Sequence, residues 1–110
     1  MTDIDQVEWR VQYGQPTPVV VLELTRLDGS HPLPQTYLDA IVTRFTKRDG
    51  QAAAIVALAN RLGVDAVIVL FRHDLSEFWL FDLSSPTRWF HRDQRQYRHW
   101  ITNHGGRRYD

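Results

Sequence analysis

Glu23 stands in the run Val19-Val20-Val21-Leu22-Glu23-Leu24-Thr25, where a carboxylate interrupts residues that otherwise read as a strand buried on both faces. A buried carboxylate is costly unless a metal ion, a cation or hydrogen-bond donors meet it. Strand side chains alternate, which groups Glu23 and Thr25 with Val19 and Val21 on one surface and leaves Leu22, Leu24 and Arg26 on the other. Upstream, the acidic start Asp3-Ile4-Asp5 leads into Val7, Trp9, Val11 and Tyr13, which alternate with Glu8, Arg10 and Gln12 as a strand with one wet face. A hairpin of the two strands brings Asp3 or Asp5 near Glu23. Adjacent carboxylates repel unless a divalent cation or a shared proton relieves them, and hard oxygen ligands favour magnesium or manganese. The same residues admit a plainer arrangement, with Asp3 and Asp5 in water and Glu23 paired with Arg10 across the hairpin or with Arg44.

A second group of residues interleaves cations with aromatic rings. In Arg88-Trp89-Phe90-His91-Arg92-Asp93-Gln94-Arg95-Gln96-Tyr97-Arg98-His99-Trp100, helical spacing draws Arg95, Arg98 and His99 together, with Arg92 just ahead of them. Such a face can hold a phosphate of a nucleic acid, or it can be solvated surface. Tyr97 and Trp100 are read as core. The histidines His31, His73, His91, His99 and His104 show no tight ligand spacing, no serine lies in a Gly-x-Ser-x-Gly turn, and no glycine-rich phosphate loop occurs.

Asp5, seventeen intervening residues, and then Glu23-Leu24-Thr25, followed by a helix and an apolar strand, resemble the PD-(D/E)XK nuclease superfamily of restriction enzymes and Holliday-junction resolvases. The likeness spans residues 3 to 83. It implies a restriction endonuclease-like core in which Asp5, with Asp3 beside it, and Glu23 are ligands of magnesium or manganese. It also implies metal-assisted hydrolysis of phosphodiester bonds, with Gln51 at the polar position that opens the helix before the apolar strand. The family's lysine of the Glu-x-Lys tripeptide is replaced by Thr25, which can orient water but carries no charge. Only Lys47 from the helix, or Arg26 from the opposite strand face, stands in for it. The family's usual helix ahead of the acidic strand has no counterpart here. A different class of function remains open beside this one, a non-catalytic protein-interaction module on the same fold with Glu23 held by an internal arginine.

The elements that must position these residues follow from periodicity. Gly14-Gln15-Pro16-Thr17-Pro18 separates the first strand from a second over residues 19–26, and Leu27 to Pro34 is a loop. Leu38, Ile41, Val42 and Phe45 mark an amphipathic helix over 35–48, and a second helix over 51–62 buries Ile55, Ala59 and Leu62, with Gly63 as its left-handed cap. Strands over 66–71 and 78–83 flank the turn His73-Asp74-Leu75-Ser76. Asp93 caps a last helix whose Gln96 reaches back, and which buries Tyr97, Trp100 and Ile101. The expectation is one α/β domain over residues 1–110, a mixed four-stranded sheet flanked by about three helices.

Thirteen basic residues balance thirteen acidic ones, yet residues 1–40 hold six acids against two arginines and residues 86–110 hold six arginines against two aspartates. The absence of cysteine excludes disulfides and thiolate metal sites. With no apolar run near the length that spans a bilayer and no signal-peptide pattern at Met1-Thr2-Asp3-Ile4-Asp5, a cytoplasmic protein with no membrane role is expected. Four Trp, five Phe and four Tyr in a short chain point to aromatic surface buried in a homodimer or against a partner protein.

Overall fold

In the computed structural model, which describes residues 3–27, 32–44, 51–83 and 88–103, a single mixed sheet carries the architecture. Its strands are β1 (Asp3–Gln12), β2 (Gln15–Leu27), β3 (Asp65–Arg72), β4 (Glu77–Asp82) and β5 (Trp89–Asp93), ordered 1-2-3-4-5. Helices α1 (Gln35–Thr43) and α2 (Gln51–Leu62) lie between β2 and β3, and α3 (Gln94–Asn103) follows β5. The β2–β3 pair is parallel, as a helical crossover requires, and every other pair is antiparallel. The sheet therefore has five strands where the sequence pattern predicts four.

Tyr13 and Gly14 both take positive φ, 53° and 76°, which closes the β1–β2 hairpin in two residues with the twist that antiparallel strands favour. β2 starts four residues earlier than its valines indicate. Its first part, with Pro16 and Pro18, pairs with β1 alone because β3 joins only from Val20 onward, so the prolines occupy a locally edge-like stretch. The β1–β2 register shifts between Glu8 and Trp9, whose partners are Val20 and Pro18. Val19 is the extra residue of this bulge. It consequently packs with Val20 and Leu22 instead of sharing the Val21 and Glu23 surface, a correction to simple alternation.

Two layers of helix cover the sheet. On one face, α2 sets Ile55 and Ala59 against Val21 and Ala66, while α1 sets Leu38 against Leu27, Ile68 and Leu70. On the other, Tyr97, Trp100 and Ile101 of α3 cover Leu22, Val67, Val69, Phe78 and Leu80. Gly63, with φ 71°, ends α2 as expected, and the amide of Val64 reaches the Ala59 carbonyl at 3.0 Å. α1 is described through Thr43, with Arg44 still in helical conformation; its expected continuation over 45–48, Lys47 included, lies outside the described residues. No described helix is long and apolar enough to cross a membrane.

β5 is the element that the pattern misses. Its residues pair Trp89 with Phe81, His91 with Trp79 and Asp93 with Glu77 at the far edge of the sheet. Asp93 then caps α3 as expected: the Gln96 amide donates to Asp93 Oδ1 at 2.7 Å and the Asp93 amide to Gln96 Oε1 at 2.9 Å.

Candidate functional site

The carboxylate of Glu23 is wholly removed from solvent, and neither Oε1 nor Oε2 accepts a hydrogen bond among the described residues. Burial of this kind follows from its position: β2 is flanked by β1 and β3, and the helices of the crossover lie over the face that Val21 and Leu27 share with it. Across the antiparallel ladder the Cα partner of Glu23 is Asp5, and that of Thr25 is Asp3. Directly opposed positions belong to the same face of a sheet. On its other flank Glu23 meets Ile68, and Thr25, also buried, meets Leu70. The side chains of Asp3, Asp5 and Gln51 are outside the described residues, as is all of Lys47; Gln51 is the first residue of α2.

An arginine on Glu23, the arrangement that the plainer reading requires, is not formed among the described residues. Arg10 extends to the other side of the sheet, where its Nη2 donates to the Ile101 carbonyl at 3.1 Å. Arg72, buried at the end of β3, instead donates from Nε to Glu77 Oε2 at 2.9 Å and lies 5.0 Å over the Trp79 ring. His91 reaches the second oxygen of Glu77 at 3.1 Å. These bonds, that of Arg72 foremost, hold the Glu77 carboxyl below the usual carboxylate range. His91 is thus a surface partner of a carboxylate.

What the donor set can hold follows from its chemistry. Two buried carboxylate oxygens with an acid at the opposed position suit a hard divalent cation such as magnesium or manganese. Among the described side chains no group of three or more His, Asp or Glu converges.

The cationic residues near the C-terminus form a separate place. Arg92, Arg95, His99 and Trp100, with Asp93 and Gln96, line an open depression of about 560 Å³ between β5 and α3. Arg98 turns away from it, lining a different groove with Leu75, Phe78 and Tyr97, so helical spacing brings Arg95 and His99 together but not Arg98. Arg88 and Arg92 both approach the Phe90 ring, at 4.9 and 5.3 Å. Sequence reasoning passed over Arg88 and Phe90 as a unit. The signal was present in Arg88-x-Phe90-x-Arg92, whose spacing places three side chains on one strand face.

Phe90 packs in the α3 layer and Arg92 lines a cavity with Val67, Leu80 and Trp100 of the same layer. Glu23 belongs to the opposite layer. No family model, no curated protein and no solved structure matches this chain. The geometry is therefore the whole basis for function. It provides a buried carboxylate with no hydrogen-bond partner among the described residues on one face of the sheet and a guanidinium-rich depression on the other.

Proposed function

We propose that the chain is a nuclease-like domain of the PD-(D/E)XK type that binds nucleic acid and hydrolyses phosphodiester bonds with a divalent metal. One observation carries this reading: both oxygens of fully buried Glu23 lack a hydrogen-bond partner among the described residues, and the residue opposed to it is Asp5. The connectivity supports it. An acidic hairpin strand, a second strand with the Glu-x-Thr tripeptide, a helical crossover whose second helix is opened by Gln51 and a parallel apolar strand follow in the order that the likeness implies.

When bound, magnesium or manganese supplies an activated water and offsets charge on the phosphate. Glu23 and Asp5 would hold it, with Asp3 as a further carboxylate, and Thr25 would orient water by hydrogen bonding without the charge of an ammonium. Lys47 is the residue proposed to provide that charge. Because Arg92, Arg95 and His99 are on the other face, one phosphate is not shared between them and Glu23. They would steady a strand that passes around the edge of the sheet.

A second reading, a protein-interaction module on the same fold, draws on the exposure of Trp9 and Val11 along β1 and of Tyr13 in the hairpin turn. The deciding experiment is manganese-dependent cleavage of DNA and RNA by the wild-type chain and by Glu23→Ala, each checked for folding by circular dichroism. Cleavage lost in the folded variant supports the nuclease reading. Absence of cleavage, together with no salt-sensitive binding by either chain, overturns it.

A further inference from the structure

β1 is the edge of the sheet and presents an apolar row that the fold leaves wet. Val7 packs under α2, but beyond it Trp9 is 57% exposed, Val11 73% and Tyr13 103%. The helices explain this: α2 packs on β2 and β3, and α1 lies further from this edge over Leu27, Ile68 and Leu70. A ten-residue edge strand without proline, carrying exposed Trp and Val, offers its outward backbone groups and this row to another strand. Beside it, Val7, Val21, Ala54, Ile55 and Leu58 line a depression, with Leu58 itself exposed.

The charges on the opposite side of β1 select the occupant. Glu8 and Arg10 flank Trp9, and antiparallel pairing of β1 with its own copy about a twofold axis at Trp9 sets each Glu8 against Arg10 of the other chain. The same register sets Trp9 against Trp9, Val7 against Val11 and Gln6 against Gln12. Shifting the axis to Glu8 or to Arg10 opposes like charges, and shifting the register by one residue turns the apolar row onto the polar one. Only the register centred on Trp9 sets Glu8 against Arg10 while keeping the apolar row on one face. In it, Val11 of one chain reaches the depression beside Val7 of the other. Arg10 donates to the Ile101 carbonyl and Glu8 accepts from Gln6 Nε2 within the chain; a guanidinium with five donors and a carboxylate with two oxygens can each take a further cross-chain bond beside these.

We infer that the chain forms a twofold dimer by antiparallel β1–β1 pairing centred on Trp9, which joins two five-stranded sheets into one. Such an interface is isologous, each half supplying the same residues. The metal-site proposal does not depend on it, nor it on the metal site.

Sedimentation of the full chain from about 1 to about 100 µM tests the inference, because a modest interface dissociates in that range. The wild type should sediment as a dimer at the upper end. Glu8→Arg or Arg10→Glu alone opposes like charges twice and should raise the dissociation constant about tenfold or more. An equimolar mixture of these two variants should form a one-to-one dimer, and the double exchange should dimerise as the wild type does. Trp9→Glu changes an exposed position, which keeps the fold, and should be monomeric. A monomeric wild type overturns the inference, as do single variants that dimerise undiminished or a mixture that fails to associate while both components are folded. A wild-type monomer that captures another protein's strand would also overturn it.

Discussion

Asp5 and Glu23 are opposed Cα partners in the β1–β2 ladder, and on its other flank Glu23 meets Ile68 of the parallel strand β3. The carboxylate thus sits between an acidic position and an aliphatic one. Nothing on the β3 side can solvate it, so whatever stabilises its charge must come from the β1 side or from above, where the crossover helices lie. A purely structural carboxylate would be met by Arg10 or Arg44, and among the described residues neither bonds to it; Arg10 donates to the Ile101 carbonyl.

The energetic consequence is measurable. If a metal relieves the Glu23 carboxylate, then without it this buried charge opposes folding, and Glu23→Leu replaces it with an aliphatic group of similar size among Val21, Ala66 and Ile68. In the presence of a chelator the variant should be more stable than the wild type by about 1–3 kcal/mol in urea denaturation. Manganese should stabilise the wild type and leave the variant unchanged. A destabilised variant, together with a wild type indifferent to manganese, would show that the carboxylate is satisfied by the protein itself.

Tyr97 offers a test of the opposite layer. Its ring stacks on Phe78 with centroids 4.0 Å apart and planes within 3°, and burial, with a smaller contribution from the charge on Glu8, pushes its hydroxyl up to about 12 from an ordinary value of 10.0. A group whose folded value is raised binds its proton more tightly in the folded state. Its contribution is complete below the unfolded value and is lost as pH rises through about 12. Stability measured by urea denaturation should decline over that alkaline window, and Tyr97→Phe should flatten the decline. In a tyrosinate absorbance titration, Tyr97→Phe should remove an ionisation near pH 12.

Where side-chain periodicity was strong, the sequence revealed the fold. The bounds of α2 coincide with its apolar stripe and with Gly63, and the turn at Asp74 forms because its Oδ1 accepts from both the amide and the hydroxyl of Ser76. Legibility failed where the period was hidden. Three successive valines give no sign of which one bulges, so Val19 was assigned to the wrong face. β5 is five residues of an edge strand with aromatic and charged groups on both faces, and neither period dominates. The site was half legible. The opposition of Asp5 to Glu23 follows from hairpin pairing, but the distance of the arginine depression depends on β5 and on the crossing of α3, which local spacing does not encode.

The reciprocal bonds between Asp93 and Gln96 make the start of α3 a point where one residue controls a whole layer. Asp93 ends β5 and caps α3 at once, so loss of its carboxylate frees the Gln96 amide and loosens the turn that aims Tyr97, Trp100 and Ile101 at the sheet. Asp93→Ala should cost about 1 kcal/mol by urea denaturation, the usual worth of an N-terminal cap. Asp93→Asn and Asp93→Ser, which keep an acceptor, should recover most of it. Amide exchange sharpens the measurement: the amides of α3 should lose protection in Asp93→Ala while those of β3, buried between β2 and β4, keep it. Equal loss in both elements would mean that α3 opens only with the whole fold, and the cap would then be a term in global stability with no separate hold on α3.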